Sequence, residues 1–189
     1  MQPKAEKFTD NAWSSIISAQ DNAQTRRHQN VETEHLFIAL INKDKLCIKA
    51  LTKAGASIKE LNNKSEGFLS EQPTLTSFPE ALYVGKSLSK TLDEADSIKE
   101  SYEDSFISSE HLLLAISNDD RFGKQLLNKE NLDRSKLRSI IDKLKGKNKI
   151  TSQNTELIWE SLSKFGRDLT LEAQEGKLAT FGIVPTDAN

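Results

Sequence analysis

Between residues 8 and 23 apolar side chains return every three or four positions, as Phe8, Ala12, Ile16, Ala19 and Ala23. A stripe with that period lies on one face of an α-helix, here over about four turns. The polar stretch RRHQN interrupts it, and Leu36, Phe37, Leu40 and Ile41 then supply a second buried stripe. Thr33 stands where an N-cap is expected, and Glu34 places negative charge in the first turn, where the helix dipole favours it. Leu46, Ala50 and Leu51 predict a third helix. Ser57 suits the N-cap of a fourth, with Ile58, Leu61 and Phe68 on its inner face. No alternation of apolar and polar residues runs long enough to predict a strand, so the reading is all-α.

The pattern then repeats. ETEHLFIAL and SSEHLLLAI place Glu34 and Glu110 in register, 76 residues apart, and the same shift holds without a gap well beyond them. It carries Ala19 onto Ala95, Asn42 onto Asn118, Leu51 onto Leu127 and Leu61 onto Leu137, and it pairs Ile16 with Leu92 and Val31 with Ile107. Agreement at matching apolar positions over about sixty residues predicts two copies of one supersecondary unit. Ser109 and Glu110 take the places of Thr33 and Glu34, and Asp133 that of Ser57. Two four-helix repeats are therefore expected, at about 6–69 and 82–145, in one domain over 1–146.

SEQPTLTSFPE, with two of the four prolines, reads as an ordered crossing between the copies. After the second copy, 147–156 is polar and is expected to be a linker. From 157 helical spacing resumes through Leu157, Leu162, Phe165, Leu169 and Ala173, with Trp159 beside that face, and a tail runs to 189.

Charge and chemistry narrow the function by exclusion. The 26 basic and 28 acidic side chains nearly cancel, giving no overall attraction to nucleic acid or anionic lipid. Cys47 is the single cysteine, which points to a reducing compartment, and no stretch approaches the length of a membrane span. A soluble, cytoplasmic protein is expected. Gly85-Lys86-Ser87 echoes a phosphate-binding loop, but the required first glycine is Glu80, so the start of a helix is the better reading. Glu34-His35 and Glu110-His111 could supply paired metal ligands across a pseudo-twofold, yet neither has His-Glu-x-x-His spacing, and His28 and Cys47 lie at unrelated positions. Each of the two histidines reads better as a partly buried first-turn residue whose hydrogen bond orients its repeat. KLRSIIDKLKGKNK carries aliphatics at helical spacing and reads as a solvated helix face. No catalytic constellation is present, and the seam between two helical units is left as the place for recognition of apolar segments. Phe8 and Thr9 from one repeat, and Leu88 and Leu92 from the other, are its candidate residues.

Two tandem four-helix repeats, each with Glu-His-Leu opening its second helix, resemble the N-terminal domain of the Clp ATPase family. DSFISSEHLLLAI and DDRFGKQLL are similar to the ClpB-type disaggregases in particular, and KFGRDLTLEAQEGKL resembles the lead-in to their first ATPase module. The resemblance runs over about 6–178 and gives way to ATFGIVPTDAN. It implies a substrate-engaging domain that binds exposed hydrophobic stretches of unfolded or aggregated proteins and passes them to an ATPase ring. ATP and magnesium are implied for the full-length family only, not for this chain, which is expected to be a non-enzymatic monomer. The alternative is a free-standing adaptor or protease-associated accessory protein. The resemblance also places Thr9, Asp104 and Glu110 among polar positions used around the binding surface. Helix capping accounts equally well for Thr9 and Glu110.

Overall fold

The structure, a computed structural model, describes residues 3–155. The helix expected from 157 onward, with Trp159 and Phe165, lies outside the described residues. After a 3₁₀ turn over Ala5–Lys7 come α1 (Asp10–Thr25), α2 (Thr33–Lys43), α3 (Lys45–Lys53), α4 (Ile58–Ser70), α5 (Lys86–Ser101), α6 (Ser109–Ile116), α7 (Gly123–Lys129) and α8 (Arg134–Lys145). The repeat shift carries the first residues of α1, α2 and α4 onto those of α5, α6 and α8. Helix order is therefore the same in both halves.

Local chemistry sets most of the helix starts. Thr9, Asp44, Ser57 and Asp133 each accept a hydrogen bond from the backbone N–H three residues on. At α2 and α6 the caps stand one residue earlier than expected, at Glu32 and Ser108, and each closes a reciprocal capping box with the histidine at the third helical position. Thr33 and Ser109 become interior helical residues, and Glu34 and Glu110 turn into the protein.

α2 and α6 are buried on every side from their first residue through Ile41 and Ile116 respectively. A helix buried all round belongs in the middle of a core, not on its flank, and here the polar first turns go in with the aliphatic remainder. α1 lies along α2 and α5 along α6, and the outer helices show the expected single buried stripe, such as Leu137 and Ile141 on α8. On α3 the buried positions are Cys47, Ala50 and Leu51 rather than Leu46. Aromatic contacts join the repeats, with Phe122 edge-on to Phe37 at 5.7 Å between ring centroids and 4.9 Å from Phe68.

The expectation of no strand needs correction. β1 (Asn30–Val31) pairs in parallel with β2 (Tyr83–Val84), and Phe8 forms an isolated parallel bridge with Ile107. The repeat shift carries Phe8 onto Val84 and Val31 onto Ile107, so these two pairings are images of one another. Each repeat lends the lead-in of its first helix to the lead-in of the other's second helix. Segments of two residues are too short for alternation to be visible in the sequence.

The expected linker is also corrected. Through Thr155 the chain packs back on the domain: Ile150 is fully buried, its N–H donates to Asp104 Oδ1 and its carbonyl accepts from Ser105. Gln153 donates from its side chain to the carbonyls of Ala5 and Phe8.

Candidate functional site: a cleft between the repeats

A cleft opens where the chain start crosses α5. Pro3, Lys4, Lys7 and Phe8 form one side, Ser89, Leu92, Asp93 and Asp96 the other, and Ile107 lies in the floor. The Phe8–Ile107 bridge builds that floor: Ile107 N–H donates to the Lys7 carbonyl at 2.8 Å, and Thr9 N–H to the Ile107 carbonyl at 2.9 Å. Charge at the rim is balanced in sign, with Lys4 and Lys7 against Asp93 and Asp96. Asp96 holds Lys99 at 2.8 Å and Lys7 at 3.3 Å, and these ammonium groups keep its carboxyl below its usual range.

Of the residues singled out from the sequence, Phe8 and Leu92 line this cleft. Leu88, one turn earlier, is core. Thr9 is fully buried behind the floor, where its hydroxyl caps α1 and its backbone joins the bridge. Asp104 and Glu110 come together elsewhere, in an interior ion cluster with His111 and Lys145. The Lys145 ammonium sits against Asp104 Oδ2 and 3.3 Å from Glu110 Oε1, and His111 Nε2 lies 3.1 Å from Asp104. All four side chains are essentially shielded from solvent. Burial alone would raise the Asp104 carboxyl, but His111, Lys145 and the Ile150 N–H outweigh it and hold the group below its usual range. Lys145 therefore departs from the solvated face expected for its basic run.

Asp104, Glu110 and His111 could in principle ligate a metal, since their donor atoms lie within 4.8 Å of one another. The cation already placed there is Lys145, whose ammonium lies against both carboxylates. His35 takes a different partner. Its Nδ1 accepts from Glu32 N–H at 3.0 Å, which leaves Nε2 to donate to His28 Nδ1 at 2.8 Å. Burial, the largest effect, lowers the His35 pKa to about 4, and the same cause lowers that of His28. The expected orienting hydrogen bond is present at both His35 and His111, although both rings are fully buried. His28, read as unrelated, is the partner of His35.

Gly-Lys-Ser does open a helix, and its N-terminus already holds an anion. Glu32 Oε2 accepts from Ser87 N–H at 3.0 Å and from Leu88 N–H at 3.1 Å. Gly85 makes room for it: a Cβ there would stand 2.1 Å from the Glu32 carboxylate. Beside it Thr33, Ser87 and Thr91 join hydroxyls across the repeats, and Ser87 donates to Asp119. Glu34, the repeat counterpart of Glu110, is buried against Arg121 in a two-pronged ion pair at 2.6 and 2.8 Å.

Sequence reasoning passed over Ile107, Lys7, Asp93 and Asp96. Ile107 carried a signal, its pairing with Val31 in the duplication, but that the pair marks the swapped lead-ins follows from the fold alone.

The family model of the Clp repeat (R) N-terminal domain matches residues 7–130. Chaperone protein ClpB 1 of Parasynechococcus marenigrum is 44% identical over 178 residues, 94% of this chain. ClpB of Gloeobacter violaceus is 44% identical over 180 residues. The chain spans about 21% of the length of these curated relatives. Among solved structures, the Hsp104 N-terminal domain from Candida albicans aligns with a TM-score of 0.71 at 22% identity, covering 78% of this chain and 97% of that one. The ClpV N-domain in complex with VipB peptide aligns at 0.60 and 19%, covering 75% and 96%. Among the described residues no helix is long and apolar enough to cross a membrane. The fold and the family match over 7–130 agree: the chain belongs to the Clp repeat N-terminal domain family and is of the ClpB type.

Proposed function

We propose that this domain is the client-engaging module of a ClpB-type ATP-dependent disaggregase in the cytoplasm, and that it receives exposed hydrophobic segments of unfolded or aggregated proteins without catalysing a reaction or taking a nucleotide. The observation that carries this reading is the cleft floored by Phe8, Leu92 and Ile107, with the Lys7–Asp96 ion pair at its rim. Burial of a client's apolar side chains there would supply the affinity, at roughly 25 cal/mol per Å² removed from water. The peptide described on the ClpV N-domain supports the capacity of the fold to hold one. Thr9 acts from behind the floor, by keeping α1 and the bridge in place. Asp104 and Glu110 act through the interior cluster, not by contact with the client.

The test is capture of a permanently unfolded, fluorescently labelled client by the isolated chain. Leu92→Asp puts a charge into the cleft and is expected to weaken capture at least about tenfold, which corresponds to about 1.4 kcal/mol. Leu92 is largely buried, so Ser89→Asp, at the rim and only half-buried, is the companion variant that spares the core. Cooperatively folded variants that capture the client as well as the parent does would overturn the assignment.

A further inference from the structure

A second groove repeats the first. It is lined by Pro3, Gln20, Val31, Leu82, Tyr83 and Val84. The 76-residue shift maps Phe8 onto Val84, Ile107 onto Val31, Lys7 onto Tyr83 and Asp96 onto Gln20. Four of the six lining residues of the second groove are thus the images of residues that line the first. The floors are built alike, one on the Phe8–Ile107 bridge and the other on the β1–β2 pair.

What differs is the rim. The Lys7–Asp96 ion pair of the first cleft becomes Tyr83 and Gln20 in the second, whose lining carries no lysine, arginine, aspartate or glutamate. Tyr83 is 60% exposed, and Ile17, one turn before Gln20 on the same helix, is 40% exposed. An aromatic ring and an aliphatic side chain left in water beside an uncharged floor suit an apolar, uncharged segment and give nothing for a charged one to pair with. Pro3 lines both grooves, so the two sites adjoin at the start of the chain.

We infer that the domain carries a second client groove, at Gln20, Val31, Tyr83 and Val84, which takes an uncharged apolar segment and acts together with the first on one unfolded chain. The inference rests on the client-engaging reading of the first cleft. Because the grooves adjoin, a client held in one finds the other at high effective concentration, and a long apolar chain gains avidity that a short peptide lacks.

The experiment is a calorimetric titration of the full chain with a short, end-blocked, uncharged Leu-Val repeat peptide, and in parallel with the unfolded client. The parent is expected to bind two short peptides. Tyr83→Asp and Ser89→Asp are each expected to bind one, and each to bind the unfolded client at least about tenfold more weakly. Where Tyr83→Asp loosens the strand pair, seen as a lowered melting temperature, Gln20→Glu tests the same rim from helix α1. A parent that binds one peptide, lost on Ser89→Asp but kept on Tyr83→Asp and Gln20→Glu, overturns the second groove and leaves the first. One peptide lost on the Tyr83 and Gln20 variants alone supports the second groove and overturns the first. A parent that binds neither peptide nor client overturns both.

Discussion

Replacing Lys145 by Met removes an ammonium from between two buried carboxylates while keeping most of its apolar stem. Asp104 and Glu110 are then left without the ammonium that lies against both of them in the interior. The Lys145 side chain is 4% exposed, Asp104 0% and Glu110 1%, so solvent cannot take over its role. Losing one partner of a buried pair costs about 3–5 kcal/mol, against about 0–1 kcal/mol at the surface. For a domain of this size that is a fall in melting temperature on the order of 10 °C. Urea unfolding at neutral pH, followed by circular dichroism, measures it. Neutralising the orphaned carboxylates in the same background, as Lys145→Met with Asp104→Asn and Glu110→Gln, is expected to return much of the loss, because a neutral interior no longer has to hold uncompensated charge. The pH dependence has a definite sign. The depressed Asp104 pKa contributes stability that is present above the ordinary carboxylate range and is lost as pH falls through its folded value, so parent and Lys145→Met should converge in acid. A loss below about 1 kcal/mol at neutral pH would refute the buried-cluster reasoning and return Lys145 to the solvated face its neighbours suggested.

His35 makes a second pH prediction: its folded pKa of about 4 lies below the unfolded value of about 6.5, so the native state binds fewer protons between them. Stability should be full above about 6.5 and fall by up to ~3 kcal/mol as pH drops toward 4, and a His35→Gln variant with an unchanged slope in urea midpoints over that range would count against it. Gly123→Ala should destabilise more than Gly85→Ala, because the added Cβ meets the Ile116 backbone oxygen at 2.0 Å in the first case and the movable Glu32 carboxylate in the second. Equal melting temperatures for these two variants would contradict that ranking. Thr9→Ala should cost about 1 kcal/mol through the lost cap, read from the same unfolding curves. Titration with Mg-ATP should give no saturable heat at micromolar concentration. Saturable binding would show a nucleotide site in this chain.

Helix periodicity, the 76-residue duplication and the short polar caps were legible in the chain because they are local or repeat at fixed spacing: Ala12, Ile16 and Ala19 lie on one face whatever they touch. The same regularity exposed the pairing of Val31 with Ile107, though not its meaning. Tertiary structure alone decided which lead-in crosses to which repeat. It set the caps of α2 and α6 at Glu32 and Ser108, because each reciprocal bond with a buried histidine requires that ring to be held from outside its own helix. It placed Asp104 and Glu110 inside, since Lys145 reaches them from the last turn of α8 across 41 residues of sequence from Asp104. It also made a linker-like segment part of the domain, because a polar stretch can be tied down by the backbone groups it meets, as Ile150 is by Asp104 and Ser105. In each case the deciding partner is distant in sequence. Whether a polar side chain caps, pairs or faces a ligand depends on what the fold brings against it, and hydrophobic periodicity carries no record of that.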